Sequence, residues 1–259
     1  MEDSETRSPE TLYDRLISEV FRRHGGAERP EFEFTGDEMR QILAEWGQRI
    51  RNLADVYYTY RGGRRTLPVE IAATGNWVIE GKRRGVYAFR RLRRSIYVKF
   101  PADLQAIDIL DATPDIILKY GGRDEQGLLA GVRYNRLVDT FLGVTAYHLQ
   151  GHVRTTLAQG VQIEIDDIYF GVDADGVQYV VPVEAKSTNE PLGVLQVSNL
   201  NAFAHRRYPD LKARSVAVKD GGDGTLFFAE FCDAMDCEEI SVVSYKRYRL
   251  VREEEYPRR

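Results

Sequence analysis

The stretch QIEIDDIYFGVDADGVQYVVPVEAK, residues 162–186, decides how the chain is read. Val, Ile, Tyr and Phe recur on both sides of Asp173-Ala174-Asp175-Gly176, a strong turn signal, so residues 161–170 and 177–184 read as the arms of a β-hairpin. With the turn centred near Asp175, residues whose numbers sum to about 350 face one another, which sets Asp166 opposite or beside Glu184. Side chains alternate along a strand, so Lys186 shares the face of Glu184 while Val183 and Ala185 point away. Glu164 shares the face of Asp166. A slip of one residue would exchange Asp166 for Asp167, which stays open as the alternative, and parity with Glu164 and Glu184 favours Asp166.

Two carboxylates in one small space suppress each other's ionisation unless a cation joins them. Mg²⁺ suits such a pair, because it prefers oxygen ligands and is commonly held by one or two protein carboxylates plus a substrate phosphate. Mn²⁺ is the expected substitute. Asp166 (or Asp167) and Glu184 are then the metal ligands, and Lys186 the group that orients or deprotonates an attacking water and stabilises charge on the phosphorus oxygens. The competing interpretation is a surface ion-pair ladder, which leaves unexplained why two acids adjoin a lysine on strands otherwise rich in Val and Ile.

Outward from the hairpin, apolar residues at helical spacing begin near Leu128 and run through Val132, Leu137, Val138 and Phe141 to Tyr147, with an interruption near Gly143. Residues 153–157 read as a strand before the hairpin and 193–205 as a helix after it. Strands at 213–219 and 225–231 follow, divided by Asp220-Gly221-Gly222-Asp223-Gly224. The order is helix, three strands, helix, strands. With Ile165-Asp166 on one strand and Val183-Glu184-Ala185-Lys186 on the next, roughly residues 128–231 resemble the PD-(D/E)xK nuclease superfamily of restriction-endonuclease-like proteins. The resemblance implies an α/β core of αβββαβ order, a central mixed β-sheet flanked by helices, with Asp166 and Glu184 as metal ligands and Lys186 as the catalytic lysine. It also implies a polar residue on the following helix, where Gln196 stands. The Pro-Asp pair that names the family is absent before Asp166, and Pro114-Asp115 and Pro209-Asp210 lie elsewhere.

Residues 1–115 read as a separate α+β region and 116–259 as the nuclease-like domain. Ser8 and Pro9 open a first helix that Gly25-Gly26 stops, and Thr35 and Glu38 have capping-box spacing at the start of a second. The second helix is expected to run until Arg61-Gly62-Gly63, with short strands at 77–79 and 95–98. The net charge of −4 hides an asymmetry: residues 49–102 hold 13 Lys/Arg against 3 Asp/Glu, an excess of ten. Local charge governs phosphate binding. Arg61, Arg64, Arg65, Lys82, Arg83, Arg84, Arg90, Arg91, Arg93 and Arg94, interleaved with Tyr57, Tyr58, Tyr60, Tyr87 and Phe89, are therefore the candidate DNA contacts.

Other chemistries lack residues. His148 and His152 have a spacing used for zinc on a helix but no third ligand. Cys232 and Cys237 are too few for a disulfide framework and read as ordinary thiols. Gly-x-Ser-x-Gly and phosphate-cradling Gly-x-x-x-x-Gly-Lys motifs are missing, so no nucleotide cofactor is expected. No apolar run nears the roughly 20 residues of a membrane span, and the acidic, polar first ten residues do not resemble a leader. The expectation is a cytoplasmic, Mg²⁺-dependent endonuclease of double-stranded DNA, acting as a homodimer in a restriction system. A structure-specific repair or recombination nuclease and a non-catalytic DNA-binding regulator are the alternatives.

Overall fold

The computed structural model describes residues 10–61, 65–122, 124–157 and 160–256. It divides into two compact units, Met1–Ile96 and Tyr97–Arg259. The boundary falls earlier than residue 115 because Ala106–Leu110 forms a strand that pairs in parallel with Val242–Val251, near the end of the chain. So distant a pairing leaves no local signal in the sequence.

The first unit contains α1 (Leu12–Arg23), a 3₁₀ turn (Gly26–Glu28), β1 (Glu31–Thr35), α2 (Gly36–Glu45), α3 (Leu53–Arg61), α4 (Val69–Ala72), β2 (Asn76–Arg83) and β3 (Val86–Leu92). Thr11 and Asp14 cap α1 reciprocally, and the expected start at Ser8 and Pro9 lies outside the described residues. Thr35 caps α2 by accepting from the Glu38 N–H at 3.1 Å. The single second helix expected from the sequence is two, because Gly47 takes a left-handed φ of 63° just after α2. The sheet is antiparallel in the order β1-β3-β2. Residues 77–79 lie in β2, whereas residues 95–98 form no strand, Tyr97 making an isolated bridge to Gly193. Phe21, Phe32, Trp77 and Phe89 pack ring against ring at the core.

The second unit begins with β4 (Ala106–Leu110), then α5 (Asp115–Tyr120), α6 (Glu125–Tyr134) and α7 (Leu137–Leu142). Next come β5 (Thr145–Thr156), β6 (Gln162–Val172), β7 (Gln178–Lys186) and α8 (Val194–Arg207). The unit closes with β8 (Lys212–Ala213), β9 (Val216–Asp220), β10 (Thr225–Phe231) and β11 (Val242–Val251). Eight strands form one mixed sheet in the order β4-β11-β10-β9-β7-β6-β5, with β8 beside β7. β5, β6 and β7 are antiparallel; α8 crosses from β7 to its parallel neighbour β9.

Alternation along β7 covers both faces. Val181, Val183 and Ala185 pack with Leu129 and Val132 of α6 and Leu137 and Val138 of α7, while Val180 packs with Leu200, Phe203 and Ala204 of α8. The unit is thus a mixed α/β structure whose central sheet is flanked by helices. Tyr147 and the two histidines assigned to a helical stripe lie instead on β5, where the chain has already passed Gly143. Among the described residues, no helix is long and apolar enough to cross a membrane.

Candidate active site

The β6–β7 hairpin has the register its turn dictates. Asp173 Oδ1 accepts from the Asp175 and Val177 N–H groups at 3.0 and 2.9 Å, and the ladder runs from Val172↔Gln178 to Asp167↔Val183. Every pair sums to 350. One step further the ladder stops, and the strands are joined instead by a side chain, the Asp166 carboxylate accepting from the Ala185 N–H at 2.7 Å. Asp166 comes to lie beside Glu184 at the place where β6 and β7 part.

Glu184 and Lys186 are both buried, at 7% and 8% exposure. Lys186 Nζ donates to Glu184 Oε1 at 2.7 Å, and the Gln196 amide donates to the same oxygen. Gln196 occupies the third position of α8, and its carbonyl oxygen accepts from the Gly193 N–H at 3.1 Å. That second bond fixes which end of the amide faces Glu184. The partial positive charge at the start of α8 lies on the same side. The structure therefore gathers Asp166, Glu184, Lys186 and Gln196 into one cluster, from β6, β7 and α8.

Burial, and after it the Glu184 charge, raise the Asp166 carboxyl to about 7. Burial alone would lower the Lys186 ammonium, but Glu184 beside it and Asp166 nearby outweigh that and raise it. Lys186 is thus a cation at rest. It can donate hydrogen bonds and attract an anion, but it cannot remove a proton while both carboxylates face it. Glu164 turns aside: it pairs with His152 Nε2 at 2.9 Å and with Arg154 Nε at 3.4 Å.

Asp167 faces the other side of the sheet. It is fully buried and accepts from Arg133 Nε and Nη2 at 2.9 and 2.6 Å and from the Tyr169 hydroxyl at 3.1 Å, with His148 Nε2 also at 3.1 Å. A carboxylate so occupied is separated from Glu184 by the sheet, so the geometry places Asp166 rather than Asp167 with the cluster. His148 and His152 each meet a different carboxylate and do not converge.

The basic segment is less bare than its sequence. β1 lies against β3 and brings acids that are distant in the chain: Lys82 pairs with Glu31 and Glu80 at 3.0 and 2.9 Å, Arg83 with Glu33 at 3.6 Å, and Arg90 with Glu80 at 3.3 Å. Arg65 is bound to the buried Asp14 carboxylate, with a 2.8 Å bond from Nε and a second from Nη2. Burial would raise Asp14, but Arg65, Thr11 and Tyr60 hold it at about 2. Arg61 lies over the rings of Tyr57 and Tyr58, and Arg91 over Trp77. Tyr57, Tyr60, Tyr87 and Phe89 are core residues rather than exposed stacking surfaces. Arg84, Arg93 and Arg94 are exposed, and Arg64 lies outside the described residues.

Sequence reasoning overlooked two cations. Arg133 lies in the last turn of α6, where helical spacing gave no hint of a strand partner. Lys219 is in register with Lys186 across the parallel β7–β9 pair and donates to the Ser187 carbonyl at 3.2 Å and to the Glu190 carbonyl, bracing the connection to α8. Its position immediately before the Gly-rich turn was readable, but its neighbour was not. Among the described residues, no three His, Cys, Asp or Glu side chains are grouped to hold a metal, so the cluster offers a cation two carboxylates. No family model, curated protein or solved structure matches the chain.

Proposed function

We propose that this protein is a Mg²⁺-dependent endonuclease of double-stranded DNA, with Asp166, Glu184, Lys186 and Gln196 as its active site in a restriction-endonuclease-like core. The observation that carries this reading is the convergence of two carboxylates, a lysine and a helix-borne amide where β6 and β7 separate. A structural ion pair needs one acid for Lys186. The second acid, raised by the first, marks a place with one negative charge too many, which is what a divalent cation offsets.

The donor set fits Mg²⁺, which accepts one or two carboxylates and completes its shell with water and phosphate. Asp166 and Glu184 would hold the ion. Once bound, it would polarise the scissile phosphate and acidify a water. The chain's own residues do the remainder. Lys186 Nζ, released from part of its attraction to Glu184, orients the water and donates to the phosphate oxygen that gains charge as the water oxygen bonds to phosphorus and the opposite P–O bond breaks. Gln196 keeps Glu184 aimed.

One such centre cuts one strand, so a duplex cut calls for a homodimer with paired sites. The remaining roles are the basic segment as the DNA contact, the cytoplasm as the location and restriction as the biological task. A second reading, a nuclease that recognises DNA structure, is favoured by the internal pairing of Lys82, Arg83 and Arg90, which leaves fewer side chains to read bases. Incubating the protein with plasmid in Mg²⁺, Ca²⁺ or EDTA separates them. Restriction gives discrete fragments in Mg²⁺ alone, structure recognition gives nicking at branched or damaged sites, and binding without cutting in any metal removes the nuclease reading.

A further inference from the structure

Asp166 and Asp167 are adjacent on a strand, so their side chains leave on opposite faces of the sheet. The β6–β7 ladder reaches Asp167↔Val183 and no further, so the backbone of β7 does not fix the residue that precedes it. Asp166 hangs at the first unpaired step, held to β7 by its own carboxylate.

On its other side β6 stays paired with β5, Gly151 opposite Asp167 and Val153 opposite Ile165, and the side chain that anchors it there is Asp167. Its carboxylate is fully buried and gripped by both arms of the Arg133 fork from α6, by the Tyr169 hydroxyl, and by His148 of β5. A planar guanidinium meeting a carboxylate through two parallel bonds is a directional link, not merely a charge neutralisation. β5 leaves room for it. Gly151 stands directly opposite Asp167, and a Cβ there would lie 3.0 Å from Asp167 Oδ1 and 3.3 Å from Arg133 Nη2. A buried ion pair can often be replaced by apolar side chains at no cost in stability, so stability alone does not call for this network.

We propose that the Arg133–Asp167 fork, admitted by Gly151, is a positioning device that aims the Asp166 carboxylate at Glu184 from behind the sheet. Arg133 and Asp167 touch neither substrate nor cation; they act through the one peptide unit that joins Asp167 to Asp166. This inference rests on the nuclease reading for its kinetic consequence, though its mechanical consequence does not. Displacing a reacting group by about 1 Å costs on the order of 100-fold in rate.

The test compares Arg133→Met, Asp167→Asn, the uncharged double variant and Gly151→Ala with the wild-type protein in two assays. Plasmid cleavage in Mg²⁺ should show kcat lowered roughly 10- to 100-fold, with KM and DNA affinity in Ca²⁺ within about twofold of wild type. Arg133→Lys, which restores charge without the fork, should recover only part of the rate. Amide hydrogen exchange, followed by NMR without metal or DNA, should be faster at the Ala185 N–H, which Asp166 holds, and unchanged at Val181 within the ladder. Folded variants with wild-type kcat, or with activity reduced only in proportion to their unfolded fraction, overturn the proposal. So does unaltered exchange at Ala185 in every variant. If the wild-type protein does not cleave, the nuclease reading fails alone, and the exchange assay still decides whether the fork aims Asp166.

Discussion

The basic segment of residues 82–94 and the acid-lysine cluster of β6, β7 and α8 both stand out as charge concentrations, and folding treats them in opposite ways. In the first unit the antiparallel sheet sets Glu31 and Glu33 of β1 beside Lys82 and Arg83, so a region dominated by positive charge in sequence is answered in part by acids of its own unit. In the second unit the hairpin brings Asp166 to Glu184 and leaves two acids facing one lysine. Charge that folding neutralises supports the fold. Charge that folding concentrates raises the free energy of the resting chain, and such an excess persists where a ligand of opposite sign relieves it.

The sharpest way to break this contrast is at Glu184. Glu184→Gln should lower plasmid cleavage on the order of 1,000-fold with DNA binding in Ca²⁺ unchanged. Glu184→Ala should in addition destabilise the protein by about 1–3 kcal/mol, because the buried Lys186 ammonium and the Gln196 amide lose their shared hydrogen-bond acceptor while Asp166 remains as the counter-charge. Full cleavage by either variant would remove the cluster from the chemistry.

Asp166→Asn should separate function from stability. With its carboxyl raised to about 7, the fold favours the protonated form of Asp166. That contribution to stability is complete below about pH 4 and is lost as pH rises through about 7, amounting to roughly 4 kcal/mol for a shift of about three units. Asparagine keeps an oxygen to accept from the Ala185 N–H and cannot ionise. In EDTA the variant and the wild type should unfold alike near pH 4, and the inactive variant should be the more stable at pH 8. Equal urea midpoints at pH 8 would contradict the concentrated charge.

What was readable in the sequence follows from how far each signal reaches along the chain. The β6–β7 register was legible because one tight turn determines every pair, and the period-two pattern then placed Glu184 and Lys186 on a common face. Gln196 came only from the resemblance, as the polar residue expected on the helix that follows. The β4–β11 pairing, the Arg133–Asp167 fork and the acids that answer Lys82 and Arg83 all join residues distant in sequence, and no local pattern encodes them. The two adjacent aspartates show the limit most plainly. Alternation says that they face apart, but only the position of Arg133 says which of them is occupied.

Arg65 offers a further separation within the first unit. Arg65→Ala should cost roughly 3 kcal/mol by leaving the Asp14 carboxylate buried without its cation. The opposite pH dependence belongs to this pair: Asp14 is held at about 2, so its stabilisation, roughly 2 kcal/mol, is present above about pH 4 and is lost as pH falls through about 2. The DNA affinity of the Arg65→Ala variant per folded molecule should equal that of the wild type, because a guanidinium committed to a buried acid does not turn to a phosphate.

The smallest effect tests whether the paired cations are spent or held in reserve. If Lys82 and Arg83 turn from Glu31 and Glu33 to phosphates when DNA arrives, then Glu31→Gln with Glu33→Gln should raise affinity at every salt concentration while leaving the salt slope nearly unchanged. The same two phosphates are contacted, and only the competing acids are gone. If the pairs persist in the complex, removing the acids creates new phosphate contacts, and log K against log salt should steepen by up to about 2. Arg84→Ala provides the scale: it is exposed and makes no ion pair among the described residues, so as a phosphate contact its loss should flatten the slope by about 1. A slope indifferent to both changes would remove Lys82, Arg83 and Arg84 from the DNA contact.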